Sequence, residues 1–364
     1  MKANSAGEPE WAGHYSPSGY ISYLSSPSSV RQTSDGGYVL AGAAYSLSNF
    51  HGWVLKLDHE GSVQWSKTYG GPGSDYFSTK SQTKDGGYIL TGNTESFGSS
   101  FHSSNGRVLR LDSAGDITWQ EAFEGQDIYW AEPTSDNGII LAGTVCVFGS
   151  TVQVAGAWVF KLDTNGNTVW QKAFEATANN QAHSLKETSD GGYVVAAHST
   201  LGAWILRLDP NGNLLWQKSY SEGYGTIAIS TSEASDKGFL IAGGGAQGPW
   251  ILKLDVKGNM VWQKTYGVDY VSQVQAAKRD GFLTVGEIEG SSWVIRSDDN
   301  GDIQNCSLVV PSNGVLTEPV TITTNTAITS VNTNAVVVST SVNGTSAVMS
   351  VTTQCMAQGD RDKG

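Results

Sequence analysis

Short apolar runs separated by glycine-containing turns recur along the whole chain. The clearest unit reads "AHSLKET", "GGYVVAAHS", "AWILRLD" and "NLLWQKSY" between Ala182 and Tyr220. Runs of this length are typical of β-strands. S-D-G-G separates the first two runs and L-D-x-x-G-N the last two. Asp bonds its own backbone in such turns and Gly takes positive φ, so both turns predict hairpins. Each unit is therefore predicted to be four antiparallel strands.

The Asp of the first turn marks the repeat, and its copies lie 44 to 54 residues apart. A period of about 40–50 residues carrying several short strands is typical of β-propeller blades. Six units are explicit in the sequence. Their marker residues are Asp35, Asp85, Asp136, Asp190, Asp236 and Asp280.

Tryptophan occupies two fixed positions of the unit. One lies in the fourth strand, four residues before Tyr or Phe, as in Trp65 and Tyr69. Residues i and i+4 share one face of a strand. The other opens the third strand, as in Trp53 and Trp204. Burying one Trp removes about 200 Å² from water, so we interpret both registers as packing between blades rather than ligand binding.

The two ends of the chain predict a seventh blade. The stretch "TAITSVNTNAVVVSTSVNGTSAVMSVTTQC" offers three more strands, and "EPEWAGHYSPSG" matches "SVQWSKTYGGPG", which places Trp11 at Trp65 and Tyr15 at Tyr69. We predict an all-β, seven-bladed propeller of four-stranded antiparallel blades, closed by the N-terminal strand in the last blade. Six and eight blades are the alternatives. Residues 1–7 are expected to be a disordered lead, 8–355 the propeller and 356–364 a polar tail.

The composition of the chain limits the classes of partner that it can bind. Charged residues make up 15% of the chain and the net charge is −12. A phosphate backbone needs a basic face, so nucleic acid is excluded as a partner. No apolar run reaches 18 residues, so membrane insertion is not expected. The start lacks the apolar core of a signal peptide, yet the low charge favours the mature region of a secreted, periplasmic or cell-surface protein. A monomer is expected.

Three cysteines are present, and none lies in a C-x-x-C pair. Zinc-type ligand spacing is absent from the sequence, and no cofactor is expected. Cys306 lies at the end of the sixth unit and Cys355 at the end of the predicted third strand of the seventh. Neighbouring blades would bring them together, so we predict a Cys306–Cys355 disulfide and leave Cys146 unpaired.

The repeat resembles one found in secreted bacterial and archaeal proteins, T-x-D-G-G-Y-h-h-A-G…W-h-h-K-L-D-x-x-G-x-h-x-W, where h is apolar. The resemblance covers Glu8 to about Cys355. It is more distantly similar to the Trp-bearing blades of PQQ enzymes and to the Asp-box hairpins of sialidases. The chain departs from both, because it has no vicinal Cys pair and lacks the Asp-box spacing. The resemblance implies a propeller and leaves the function open.

Function is expected on the face that carries the irregular loops, since every regular motif lies in the turns of the opposite face. The loops between second and third strands are long in the first three units, and the connections between units carry further polar and aromatic residues. Trp130 is the one Trp outside both registers, where other units have a small hydroxyl residue, and is either a plug or a platform. The predicted ligand-binding residues are Trp130, Tyr129, Tyr76, Tyr270, Phe101, His102, Phe50 and His51.

Three functions remain open. The first is a binding or scaffold propeller for a carbohydrate or a secreted or surface protein, because aromatic rings stack on sugar C–H faces. The second is a glycoside hydrolase or polysaccharide lyase, which needs converging carboxyl groups. The third is a component of an assembly without a small ligand. Calcium at the turns "LDTNGN", "LDPNGN" and "SDDNGD" is an alternative to plain hairpins. The candidate catalytic residues are Asp75, Asp127, Asp269 and His183.

Overall fold

The computed structural model describes most of the chain up to residue 303 and short segments beyond it. Every regular element among the described residues is a β-strand. None of them forms a helix long and apolar enough to cross a membrane. The described residues are 2–3, 9–17, 26–97, 105–123, 126–147, 154–175, 180–221, 226–245, 248–266, 268–277, 281–288, 291–303, 309–311, 315–317, 322–325, 330–332, 336–339 and 342–346.

The strands follow the four-run pattern of the sequence. Three short strands open the chain: β1 Lys2–Ala3, β2 Pro9–Trp11 and β3 Gly13–Pro17. The first blade is β4 Ser26–Gln32, β5 Tyr38–Tyr45, β6 Phe50–Leu57 and β7 Val63–Gly70. The second is β8 Asp75–Gln82, β9 Tyr88–Thr94, β10 Asn105–Leu111 and β11 Ile117–Phe123. The third is β12 Gln126–Pro133, β13 Ile139–Val147, β14 Val154–Leu162 and β15 Thr168–Glu175.

Three more blades and a set of short strands follow. The fourth blade is β16 Gln181–Glu187, β17 Tyr193–Ser199, β18 Gly202–Leu208 and β19 Leu214–Ser221. The fifth is β20 Ile227–Glu233, β21 Phe239–Gly245, β22 Gly248–Leu254 and β23 Met260–Tyr266. The sixth is β24 Tyr270–Ala276, β25 Phe282–Ile288 and β26 Ser291–Ser297. The short strands are β27 Val309–Pro311, β28 Val315–Thr317, β29 Ile322–Asn325, β30 Ser330–Asn332, β31 Val336–Ser339 and β32 Val342–Ser346.

The chain divides into two compact units. Residues 1–141, 161–169 and 327–352 form the first, and residues 142–160, 170–326 and 353–364 form the second. The first unit contains the sheets β31-β7-β6-β5-β4 and β30-β11-β10-β9-β8. The second contains β16-β17-β18-β19-β28, β20-β21-β22-β23-β27 and β24-β25-β26. The sheet β12-β13-β14-β15-β29 contributes residues to both.

The Trp registers pack one blade on the next, as predicted. Trp65 of β7 meets Tyr88 of β9 at 5.8 Å between ring centroids. In the second unit Trp216 of β19 meets Phe239 of β21 at 6.0 Å, and its Nε1 donates to the Val256 carbonyl. The third-strand residues Trp53, Trp158, Trp204 and Trp250 are buried within the sheets.

Backbone conformation and close packing both require glycine at the last position of the L-D-x-x-G turn. Gly115 has φ +81°, and a Cβ there would lie 3.0 Å from the Trp65 ring. Gly258 has φ +74°, and its Cβ would lie 2.8 Å from the Trp216 ring. A side chain would therefore be strained and would also push away the indole that joins two blades.

The N-terminal strand makes the same contacts on the first blade. Trp11 meets Tyr38 at 5.6 Å, and its Nε1 donates to the His59 carbonyl at 3.1 Å. The Tyr15 hydroxyl donates to the Gly61 carbonyl at 2.6 Å, as the Tyr69 hydroxyl does to Gly115 in the next repeat. The predicted match of this strand to the outer-strand register is confirmed. β1, inside the predicted disordered lead, pairs with β2.

The prediction of seven blades closed by the N-terminal strand is wrong in the described residues, which form six blades. β3 pairs only with β32, in a two-stranded sheet. The other short strands instead add a fifth strand to the outer edges of the first five blades. The physical reason is visible in the sequence. After Trp293 the chain has no Trp, Tyr or Phe, so it cannot supply the rings that join one blade to another.

Trp11→Ala should lower the free energy of unfolding by about 2–4 kcal/mol, because it removes a ring that packs between β2 and the first blade. Denaturant unfolding followed by circular dichroism measures it. Val261→Ala, at a side chain 58% exposed on β23, is the control and should change little. A Trp11→Ala effect as small as the control would show that the N-terminal strand does not hold the first blade.

Candidate functional site

The first strand of each blade is its inner strand, and the candidate carboxylates occupy two different positions relative to the hairpin that follows it. In the second, third and sixth blades this hairpin is closed by a backbone N–H···O bond, whose donors are Thr83, Thr134 and Ala277. Asp75 lies eight residues before Thr83, and Asp269 eight before Ala277. The same position before Thr134 is Gln126, so Asp127 lies one residue later. Neighbouring residues of a strand point to opposite faces, so Asp127 is not the counterpart of Asp75.

Asp75 forms a buried ion pair with Arg107 of β10. Their side chains are 0% and 1% exposed, and Nη1 lies 3.0 Å from Oδ1. Burial lowers the pKa of the Arg107 guanidinium to about 10, and the Asp75 charge acts in the opposite direction. Arg107 replaces a register Trp. Its Nη2 donates to the side chain of Gln120 at 3.0 Å. In the fourth blade the Trp204 indole donates to Gln217 in the same way, and in both blades the acceptor lies thirteen residues after the donor.

The second oxygen of Asp75 holds two loops together. Oδ2 accepts the Gly71 N–H at 2.9 Å and the Ser96 hydroxyl at 2.6 Å. The Phe97 ring lies 4.7 Å from the guanidinium carbon of Arg107. Gly71 belongs to the connection between the first two blades, and Ser96 and Phe97 to the loop after β9. The buried pair therefore fixes parts of two loops on the irregular side of the first unit.

Aromatic side chains lie on the same side. Phe50 contacts Tyr45 at 4.6 Å and Tyr76 at 5.0 Å between ring centroids. Tyr76 is 39% exposed. His51 is close to Asp75, because a Cβ at Gly70 would lie 2.5 Å from His51 Nδ1 and 2.8 Å from Asp75 Oδ2. The structure thus brings together four predicted residues, which we call the rim cluster: Phe50, His51, Asp75 and Tyr76.

Asp127 and Tyr129 form a second group in the first unit. Asn93 Nδ2 donates to Asp127 Oδ1 at 3.0 Å, and the Tyr129 hydroxyl lies 3.4 Å from Oδ2. Asn93 pairs with Tyr76 across β9 and β8, which links this group to the rim cluster. Asp127 is therefore hydrogen-bonded through both of its oxygens.

Trp130 lies midway along β12 and contacts a residue that the sequence did not single out. The Arg31 guanidinium carbon, near the end of β4, lies 5.9 Å from the centroid of the Trp130 ring. β4 belongs to the first blade and β12 to the third. The Trp130 indole N–H is buried without a hydrogen-bond acceptor among the described residues. Whether Trp130 acts as plug or platform stays a prediction.

The remaining described candidates lie in the second unit. His183 is the extra residue of a β-bulge, since Ala182 pairs with Ala197 and Ser184 with Ala196. Burial, with a smaller contribution from His198, lowers the pKa of His183 to about 4. Asp269 is exposed, and Tyr270 is 47% exposed. Phe101, His102, Cys306 and Cys355 lie outside the described residues, so their predicted roles stay predictions.

The turn carboxylates, where calcium was the alternative, are engaged within their own turns. Asp163 Oδ1 accepts the N–H groups of Asn165 and Asn167, and Oδ2 accepts the Asn167 amide. These hydrogen bonds stabilise the charged form and hold the pKa of Asp163 below its usual value, although slight burial opposes them. The hairpin geometry thus accounts for the L-D-x-N-G-N pattern without a metal.

Comparison with known proteins supports the fold alone. No family model matches the chain, and no curated protein matches it in sequence. Among solved structures it is similar to a puromycin hydrolase, with TM-score 0.50 and 10% identity over 75% of this chain and 44% of that chain. A provisionally assigned gluconolactonase gives TM-score 0.41 and 13% identity over 78% and 94% of the two chains. A glycosyl hydrolase from Bacteroides ovatus gives 0.30 and 9% over 62% and 84%.

The first of these likenesses supports a β-propeller, and the weaker two carry no argument. The resemblance to a repeat of secreted proteins stays a prediction, because no family model matches the chain.

Replacing one partner of the buried pair should destabilise the protein more than replacing both. Asp75→Thr leaves a buried guanidinium and should cost about 3–5 kcal/mol of unfolding free energy. The double variant Asp75→Thr/Arg107→Trp reproduces the fifth blade, which has Thr226 and Trp250 at these positions, and should recover much of the loss. Denaturant unfolding measures all three proteins.

The control for this pair is Asp85→Thr. Asp85 pairs with Arg110 in the same sheet, but its side chain is 69% exposed, so its loss should cost less than about 1 kcal/mol. A double variant no more stable than Asp75→Thr would contradict coupling between Asp75 and Arg107.

Stability should fall as the pH drops from about 6.5 to about 4. In this range the unfolded chain protonates His183, whose folded pKa is about 4, while the folded protein does not. The loss from this group is at most about 3 kcal/mol. Asp35 and Asp136, with pKa values of about 2, lose their stabilising effect only below the unfolded Asp value of 3.8.

The measurement is the unfolding free energy of wild type, His183→Gln and His59→Gln at pH 7, 5.5 and 4.5. His59→Gln, at an exposed side chain, should follow wild type, and His183→Gln should lose less stability across this range. Parallel curves for all three proteins would show that His183 does not gain a proton on unfolding.

Proposed function

We propose that the protein is a secreted carbohydrate-binding propeller, with Tyr45, Phe50, His51 and Tyr76 as its binding surface. Sugar rings stack their C–H faces on aromatic side chains and take hydrogen bonds from neutral polar groups. Tyr45, Phe50 and Tyr76 form a contiguous aromatic group with one ring partly exposed. This aromatic group is the observation that carries the proposal.

The engagement of the carboxylates favours binding over hydrolysis. A glycoside hydrolase usually needs two carboxyl groups on either side of the bond it cleaves. Asp75 is fully buried and ion-paired with Arg107, which leaves it no access to a substrate. Asp127 accepts hydrogen bonds from Asn93 and Tyr129. Within the described part of the first unit, the predicted candidates therefore supply at most one carboxylate for catalysis.

The buried pair has a supporting role in this proposal. Asp75 clamps Gly71 to Ser96, and Gly71 and Ser96 flank the aromatic group on two loops. Loops fixed before the ligand arrives lose less conformational entropy on binding, which favours affinity. Arg107 is engaged with Asp75 and contributes through loop position.

Binding is tested on a glycan array, followed by calorimetry with the best glycan. Tyr76→Ala should weaken binding about tenfold, which corresponds to about 1.4 kcal/mol from one lost stacking contact. Leu215→Ala, at an apolar side chain 59% exposed on β19, is the matched control and should leave affinity unchanged. Equal affinities of wild type and Tyr76→Ala would move the binding surface elsewhere.

The enzyme alternative is tested with the same glycan. Wild-type protein should bind it without releasing reducing ends or unsaturated products during overnight incubation. Release of product by wild type, abolished in Asp127→Asn with binding retained, would establish the carbohydrate-active enzyme instead.

A further inference from the structure

We propose that Arg31 and Trp130 form a binding subsite for a small carboxylate, separate from the rim cluster. Both residues belong to the first unit, on inner strands of the first and third blades. The rim cluster lies where inner strands begin, whereas Trp130 lies midway along β12 and Arg31 one residue before the end of β4.

The meeting of these two side chains depends on the departure of Trp130 from the repeat. At the position of Trp130, other blades have Thr79, Ser184 and Ser230. Ser230 is buried, and its hydroxyl accepts the N–H of Val274 on the neighbouring inner strand. An indole is too long for that role, and Trp130 instead extends to Arg31, two blades away, at 5.9 Å. The substitution therefore replaces a contact between neighbouring strands with an aromatic–cation pair.

Arg31 has unused hydrogen-bonding capacity. Arg107, Arg110 and Arg207 each form an ion pair with an aspartate. Among the described residues Arg31 has no ion pair or side-chain hydrogen bond, and its guanidinium lies over the Trp130 ring. A guanidinium has five N–H donors, and an aromatic face satisfies none of them.

The Trp130 indole is the second unusual group at this position. Its N–H is buried and has no acceptor among the described residues. Trp170, Trp250 and Trp293 share this property, so the indole alone would not indicate a site. The combination with an unpaired guanidinium distinguishes Trp130 from these register residues.

These donors fit a carboxylate. A planar guanidinium binds the two oxygens of a carboxylate side by side, which an uncharged hydroxyl cannot do. Because the net charge of the protein is −12, long-range attraction does not favour anions, and these short-range contacts must supply the affinity. The expected ligand is a small acid, of which a sugar acid is one kind.

The test is a titration of full-length ¹⁵N-labelled protein with sodium glucuronate, matched against glucose at constant ionic strength. The twelve Trp residues give separate indole N–H signals, and Trp130→Phe assigns the signal of Trp130. Glucuronate should shift this signal in a saturable way, and glucose should not. Arg31→Gln should weaken glucuronate binding about tenfold or more, because it removes the charged guanidinium that binds both carboxylate oxygens. Arg31→Lys keeps the charge without the paired donors and should recover only part of the affinity.

Arg296→Gln, at an exposed arginine of β26, is the control and should bind as wild type. The proposal is overturned if glucuronate leaves the Trp130 signal in place, if glucose shifts it equally, or if Arg31→Gln binds as tightly as wild type. A loss of glycan binding in Tyr76→Ala with the Trp130 shift retained would show that the two sites are independent.

Discussion

One contact joins each blade to the next, and the arrangement of the repeat depends on it. An outer-strand Trp lies on the glycine of the following blade's last turn, as Trp65 does on Gly115. Where the second strand of that blade opens with an aromatic residue, as with Tyr88, the two rings also meet. Where the residue four positions after the Trp is Tyr, as with Tyr69, its hydroxyl donates to the same glycine's carbonyl. Three features of the sequence motif therefore serve a single interface: the turn glycine, the Trp and the Tyr.

The second blade shows what happens when one aromatic residue of the repeat is replaced. Arg107 takes the place of a third-strand Trp and keeps its hydrogen bond to the fourth strand through Gln120. A charge at that depth needs a counter-ion, and Asp75 supplies it from the first position of the inner strand. Asp75 then has a free oxygen, which binds Gly71 and Ser96. The irregular loops are thus attached to the core through a departure from the repeat.

The features that depend on the spacing of residues close together in the chain could be predicted from the sequence. The strands, both hairpin turns, the Trp registers and the docking of Trp11 and Tyr15 all follow from side-chain period and turn chemistry. The number of blades could not, because open strand edges compete for the short apolar runs after residue 308 and no rule of spacing decides between edge pairing and a new blade. The Asp75–Arg107 pair joins residues 32 apart in sequence, so only the folded sheet shows it. Arg31 was missed because the residue at its position varies from blade to blade, so nothing in the sequence marks it. Its counterparts are Ser81, Glu132, Lys186, Ser232 and Gln275.

The short strands after the sixth blade pair with the blades in reverse order, β27 with the fifth, β28 with the fourth, β29 with the third, β30 with the second and β31 with the first. A growing chain makes the first blade earliest, yet its outer edge receives its partner last. Each intermediate on the ribosome therefore displays unpaired strand edges, which favour association with other chains. The pairing of β31 with β7 spans some 270 residues, so its loop-closure cost falls late in folding. The last pairings to form in this protein thus involve segments that were synthesised first, β7 of the first blade and β3 before it.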